Sequence, residues 1–593
     1  MFHSESKQAL TFWSFMQSNK NLVWIISTIV TAIVAFVIGM IGFLGVSDPE
    51  FTLSSAIYGA FRLFVLDFDV PIEQPDYPLM LEVARWLAPA TVFSSIILFI
   101  AMAFYQKFVL LSLKFRRNYT VICSLNPQSL TLANDLLQRK ERVVIIDPDR
   151  DNPHLGSVLI RRGIAIIGSP LDGKILQTAS VRRCKRVVLF SETDTDNIEA
   201  LLRIKELCLP NRKHVNPKKI FIQLQDKQMD DVISEIEDIL DKDKLELIPF
   251  NIHENAARLH FQKHPLYKNI DISLDGIAPH LLIVGFRAEG EQVLLQALQL
   301  AHYAHGKKLA VSVLDRDAAN AEAELRFHYP EIHHIADIRF YSTYPTANDF
   351  RSTLESLQPT YAVVCLNADH QSLKVGIRLT ELLPDIPVHT LLKEDTSYFS
   401  QIDQNNRKYR LLHRFGAMIE TTGVDSVINE VTQLMAVQLH EAYIRIGRKD
   451  TPWSRLSMFA QSSNRAMADH IATKLRTLGL KYVPHSQQGV AALSEEAFHR
   501  LAGPLLEKLA RCEHERWNAF HYVHGWRSCS SEQWKDEERK LHPTLVSWEE
   551  LDAVSECHSR LSGKDIKYKE YDINTIRDLW LVLHACGYSI IHQ

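Results

Sequence analysis

The side chains best equipped for chemistry gather toward the C-terminal end, in the run Leu509–Trp526, LARCEHERWNAFHYVHGW. His514, Arg516 and Trp517 would share a helix there, and Trp526, Arg527, His542 and Trp548 follow. Indoles offer flat π faces and guanidinium groups offer planar forks of N–H donors, a pairing suited to an adenine base and its phosphates. The same tryptophans would equally serve as the core of a small domain. A second set lies upstream. Asp147 and Asp315 each end a short branched apolar run, where a carboxylate meets a ribose hydroxyl in dinucleotide-binding folds, and Gly285, Arg287 and Gly290 partly reproduce the G-x-G-x-x-G phosphate cradle. The earlier counterpart reads Ser124, Asn126 and Ser129, so close backbone approach to a pyrophosphate is lost there. A third set is Asp67 and Asp69, which follow an apolar stretch; rings of such carboxylates favour cations.

Other chemistries fail on spacing. Cys512, His514, His521, His524 and Cys529 cluster without the paired spacings of a zinc site, and His514-Glu515 begins a zincin-like string with Asn518 where the second His belongs. Gly168–Ile175, GSPLDGKI, is one residue short of a P-loop and has Ile175 in the magnesium-ligand position. No catalytic nucleophile stands out, so the reading is a binding protein and not an enzyme. A net charge of -4 gives no electrostatic footprint for nucleic acid.

Two uncharged apolar runs precede all of this. Leu22–Val46 and Leu87–Gln106, the latter continuing to Leu113 before Lys114, Arg116 and Arg117, each reach the ~20 residues that cross a bilayer. Buried core helices, the alternative, seldom run so long without a charge. Between them Leu53–Leu66 is apolar, helical in pattern and too short to span, and it ends at Asp67-Phe68-Asp69. That is the layout of a two-helix pore subunit with a re-entrant half-helix; an interfacial amphipathic segment in an ordinary loop is the alternative. The T-V-G-Y-G potassium filter is absent. Lys7 and Lys20 lie before the first run and Lys107, Lys114, Arg116 and Arg117 at the end of the second, around an acidic loop, which places both termini in the cytoplasm. All eight cysteines follow the second run and should be free thiols in a reducing compartment.

From Tyr119 short branched runs alternate with helical stretches, stop, and repeat from His280, the pattern of two doubly wound parallel sheets. The fold class is therefore membrane α plus α/β with a mainly helical C-terminal domain. The expected divisions are a leader (1–21), a two-helix membrane domain (22–117), a first Rossmann domain (118–250), a linker helix (251–278), a second Rossmann domain (279–423), a helical connector that includes a long helix over Val424–Arg445 (424–460) and a ligand-binding domain (461–593).

The first unit, VICSLNPQSLTLANDLLQ, RVVIIDPD, IAIIGSPLDGKILQTASV and RVVLFSETDTDNIEALL, resembles the regulator-of-potassium-conductance (TrkA-N-like) domain, a Rossmann module of prokaryotic potassium channels and transporters. Asp147, Gly168-Ser169-Pro170 and Asp194, Asp196 and Asn197 carry that resemblance. Leu505–Ile591 resembles the ryanodine-receptor repeat through Glu513, His514, Arg516, Trp517, Gly525-Trp526, His542-Pro543, Leu545 and Trp548, with Ser463-Asn464-Arg465 as the helical lead-in. It departs from that family at Ser528-Cys529, where an aromatic-glycine pair is usual. Together these resemblances imply a ligand-gated, cation-conducting channel of a bacterial inner membrane, in contact with membrane lipid, assembled as a homo-tetramer and answering a small adenine-nucleotide-like effector. The alternative they leave open is a membrane-anchored regulatory subunit without a pore.

Overall fold

The computed structural model describes residues 19–46, 52–68, 78–208, 217–226, 229–238, 244–268, 270–394, 409–429, 434–445, 447, 450–487, 489 and 491–593. Asp69 lies outside them. The chain forms two compact units, Met1–Ser191 with Glu199–Ile220, and Glu192–Ile198 with Phe221–Gln593.

The first unit opens with helices α1 (Asn19–Leu44), α2 (Leu53–Leu63) and α3 (Leu79–Leu113). Within α1 and α3, Val23–Leu44 and Leu79–Ile100 are long and apolar enough to cross a membrane, with mean hydropathy 2.5 and 1.7. Ile29, Ile33, Phe93 and Phe99 are more than half exposed, whereas a soluble-core helix would bury them. The second apolar helix begins at Leu79, ahead of the expected Leu87, and carries Pro89 inside it, which membrane helices tolerate. The two helices approach closely at Gly42, where a Cβ would stand 2.8 Å from the Leu81 nitrogen; small residues permit such crossings. Helix α2 stops at Leu63, short of the expected Leu66. Leu66 adopts a left-handed φ of 63°, and the Asp67 N–H returns to the Arg62 carbonyl at 3.1 Å.

Six strands follow: β1 (Thr120–Cys123), β2 (Val143–Asp147), β3 (Ile164–Ile167), β4 (Arg186–Leu189), β5 (Lys218–Gln223) and β6 (Leu245–Phe250). Their order is β3-β2-β1-β4-β5-β6, with β1 parallel to β2 and β4, and β2 parallel to β3. Helix α4 (Pro127–Gln138) follows β1. The second sheet, β7 (His280–Val284), β8 (Leu309–Asp315), β9 (Ala336–Ser342), β10 (Tyr361–Val364), β11 (Val388–Leu391) and β12 (Leu412–Phe415), is parallel throughout and repeats that order. A crossover between β1 and β4, and again between β7 and β10, creates the crevice where doubly wound folds hold ligands. The sixth strand, β12, is not legible beforehand, because His413 and Arg414 interrupt its apolar run.

Helix α5 (Ile252–Lys263) precedes the second sheet and α6 (Ala288–Leu300) follows β7. The expected helix over Val424–Arg445 is described as two pieces, Val424–Val427 and Leu434–Arg445. Farther on come α7 (Met458–Asp469), α8 (Leu506–Val523) and α9 (Tyr568–Arg577). The chain finishes on an unanticipated antiparallel pair, β13 (Leu480–Pro484) with β16 (Tyr588–His592); between them lie the two-residue strands β14 (Arg527–Ser528) and β15 (Leu541–His542). One apolar cluster joins Leu281 and Ile283 of β7, Val293 and Ala297 of α6, and Ala519, Tyr522 and Val523 of α8. The C-terminal segment is thus built into the flank of the second sheet.

Candidate functional sites

Each sheet has a mouth between its first strand and the next helix. At the first, Ser124 holds a left-handed φ of 72° and donates its N–H to the Ile146 carbonyl at 2.7 Å. The Asp147 carboxylate accepts from the Leu125 N–H at 2.6 Å and the Asp149 N–H at 2.9 Å. Asn126 caps α4 by accepting from the Ser129 N–H, and the Asn126 N–H donates back to Ser129 Oγ, both at 2.9 Å, a reciprocal capping box. Backbone donors that would face a pyrophosphate are therefore bonded inside the loop.

The second mouth repeats the frame. Gly285 has φ 89° and donates to the Leu314 carbonyl at 2.9 Å, and Asp315 accepts from the Phe286 N–H at 2.7 Å and the Asp317 N–H at 2.8 Å. Both acidic residues predicted to meet a ribose thus close their own turns. Arg287 occupies the N-cap position of α6 and makes no capping hydrogen bond with its side chain. Glu289, in the first turn of α6, lies 3.1 Å from His253 Nδ1 and 2.5 Å from Lys393 Nζ. Burial works to raise its carboxyl, but the hydrogen bond and charge of His253, then Lys393, outweigh it and hold the group down to about 2. A carboxylate of the chain itself sits where the helix dipole would draw a phosphate.

The second unit contains a cavity of about 1680 Å³ lined by α5 and α6, by residues between 224 and 250 around β5 and β6, by α7, α8 and α9, and by the segment around residues 535–544. Five of the seven residues singled out in the C-terminal segment line it: His514, Arg516, Trp517, Trp526 and His542. Arg527 is exposed on β14, and Trp548 is buried with Leu509, Ala510, Leu551 and Ile576, so neither joins them.

Aromatic rings build one wall. Trp517 stands 3.9 Å from His521 and 5.0 Å from His542, centroid to centroid, and Trp526 stands 5.4 Å from Phe459. Burial depresses His521 to about 3, with the Trp517 carbonyl partly offsetting it, and burial followed by the Lys535 charge depresses His542 to about 4. Both rings are neutral near pH 7 and offer aromatic faces rather than charge. His521 and Phe459 were not predicted to line a ligand site. His521 lies one turn beyond Trp517 on the same helix, a spacing that marks a shared face, whereas Phe459 comes from a separate helix and carries no comparable signal.

The floor is charged but internally paired. Arg516 is 1% exposed and its Nε and Nη2 donate to the Glu513 carboxylate at 3.0 and 2.9 Å, while Lys474 reaches the same carboxylate at 2.7 Å. Glu513 thus occupies two of the Arg516 donors, and Nη1 is buried without a hydrogen-bond partner. Arg258 of α5 donates to Asp469 of α7 at 3.0 and 3.3 Å, with Gln296 of α6 also on that carboxylate at 3.4 Å. The His514 ring is fixed by the Val546 carbonyl at 2.9 Å and Asp572 at 3.4 Å.

No curated protein matches the chain in sequence. Among solved structures it is similar to the GsuK channel bound to NAD, at 11% identity over 84% of this chain and 91% of that one, with a TM-score of 0.38. GsuK bound to ADP aligns at 14% identity over 68% and 97%, TM-score 0.36, and the human SLO3 gating ring at 10% over 66% and 92%, TM-score 0.39. Residues 120–236 match the TrkA-N domain family.

Proposed function

We propose that the chain is a subunit of a ligand-gated, cation-conducting channel of a bacterial inner membrane, a homo-tetramer that binds a nucleotide-like effector in the C-terminal cavity. It acts by binding, not by turnover. The observation that carries this reading is the cavity itself: the rings of the segment resembling the ryanodine-receptor repeat line it together with residues of α5 and of α6, the helix after β7, so an occupant can bridge them. An effector shifts the pore equilibrium by as much as it prefers one arrangement of those elements over the other. The two apolar helices with α2 between them support a pore subunit, and the TrkA-N match supports a regulatory cytosolic portion.

One observation favours a second reading. Asp67, offered as an outer-mouth carboxylate, is paired with Arg62 at 2.8 Å, which offsets the charge an acidic ring would need. A pore-less regulatory subunit accommodates that pair without difficulty. Native mass spectrometry of the detergent-purified chain, followed by ion flux in proteoliposomes, separates the two. The channel predicts a tetramer, flux that changes with an added nucleotide, and altered flux in Asp67→Asn. A stable monomer or dimer without flux returns the regulatory subunit.

A further inference from the structure

We infer that the effector of this cavity is a planar base bearing little charge, a nucleoside or nucleoside monophosphate rather than a triphosphate. This inference rests on the nucleotide-like reading of the cavity given above and narrows it.

Charge is the first argument. The lining carries nine Asp and Glu side chains against five Lys and Arg, so a polyanion approaches a surface of its own sign. Every one of those five cations already has a partner. Arg258 is held by Asp469 and Arg516 by Glu513. Lys535 pairs with Glu537 at 2.6 Å and lies 5.2 Å over the Trp526 ring. Lys540 donates to the His524 carbonyl at 3.2 Å, and Arg465 donates to Ser462 Oγ. Triphosphate sites depend on charge-assisted donors turned toward the phosphates, and here each of the five side chains already commits donors to protein oxygens, Arg516 keeping only its buried Nη1 unpaired.

Stacking surface is the second. Phe459, Trp517 and His542 are only half-buried on the cavity wall, and every base has a π face to lay against such rings. The rings touch one another at 4 to 6 Å, so they form a wall to stack on rather than a slot to enter. Two of the nine lining carboxylates, Glu537 and Glu538, are exposed, and they penalise each added phosphate while leaving an uncharged base untouched.

The test uses the full-length detergent-purified chain and three probes, adenosine, AMP and ATP, titrated calorimetrically and by tryptophan fluorescence at low and high salt. Adenosine and AMP are expected within about threefold of one another and ATP at least about tenfold weaker, with the gap narrowing as salt rises. Glu537→Gln combined with Glu538→Gln, two exposed positions, should tighten ATP by about threefold and leave adenosine unchanged. ATP binding more tightly than adenosine overturns the low-charge class and leaves the cavity as a nucleotide site. Failure of all three probes to bind overturns both the inference and the nucleotide reading on which it rests.

Discussion

At the first Rossmann mouth the left-handed turn residue is Ser124, and Ser129, five positions on, donates its hydroxyl to the Ser124 carbonyl at 2.9 Å. At the second the same two positions are Gly285 and Gly290, and a Cβ on Gly290 would lie 2.6 Å from the Gly285 carbonyl oxygen. One backbone frame, with Asp147 and Asp315 closing equivalent turns, is therefore finished in two ways: by side-chain hydrogen bonds in one unit and by close backbone packing in the other. The comparison teaches that the second mouth requires its glycines for its own packing, so their presence is no sign of a bound pyrophosphate.

The sharpest way to break this comparison is Gly285→Val. A Cβ there would stand 2.5 Å from the Cys365 carbonyl oxygen at a φ of 89°, combining backbone strain with a clash that no side chain can relieve. A loss of more than about 4 kcal/mol is expected, read as collapse of hydrogen-exchange protection in β7 and β10 with β1 and β4 unaffected. Retained protection in β7 would mean that the glycine is not needed for packing.

Next in size is the Arg258–Asp469 tie of the second unit. Asp469→Asn leaves Arg258 buried beside an uncharged partner and should cost about 3 kcal/mol. The double variant with Arg258→Met should recover most of that loss, because the penalty lies in the stranded charge rather than in the missing pair. Equal losses in the single and double variants would instead assign the effect to packing.

Much of this frame was legible beforehand, and the limits have physical causes. Short branched runs alternating with helical stretches mark five strands of the second sheet and all six of the first, since strand period and helix period differ. Strand β12 escaped because burial at its two ends surrounds a polar middle. The ligand wall was half legible: His514, Arg516 and Trp517 share a helix and show in the spacing, but Trp548 and Trp526 look alike in sequence while only Trp526 reaches the cavity. Which face a loop-borne ring presents is decided by tertiary packing. The partner of Arg516 stood in the same run as Glu513, one helical turn away, and that spacing favours a pair over an open fork.

Acid should separate the two mouths further. His302 and His521 are buried and depressed to about 4 and about 3, in each case chiefly by burial. They stay neutral when folded and gain a proton when unfolded below ~6.5, so the second unit loses stability as pH falls from ~6.5 toward 4, by at most ~1.4 kcal/mol per pH unit for each group. Glu289 adds a later loss. Its stabilisation is present above the ordinary carboxyl range and disappears as pH falls toward about 2. Beside Asp147, whose counterpart Asp315 closes the second mouth in the same way, the first mouth is stitched by the hydroxyls and amide of Ser124, Asn126 and Ser129, which do not titrate in this range. Hydrogen exchange followed from pH 7 to 4, corrected for intrinsic rates, should show the loop after β7 losing protection before the loop after β1; a parallel loss would remove the distinction.

The smallest effect is expected from Ser124→Gly, the converse of the glycine replacement. A serine held left-handed costs roughly 1 kcal/mol, and glycine would remove that strain. Glycine also widens the unfolded ensemble, by roughly 0.5–1 kcal/mol, and it deletes the Ser124 Oγ to Ser191 Oγ hydrogen bond of 3.0 Å. These contributions oppose one another, so the net change should stay within about 0.5 kcal/mol, measured as exchange protection of β1 and β4. A gain well beyond that would mean that the hydroxyl pair adds little and that the first mouth carries unrelieved strain. The near-neutral result would place Ser124 as a strained residue held by its own hydrogen bond, leaving the two mouths equally closed although only one of them depends on glycine.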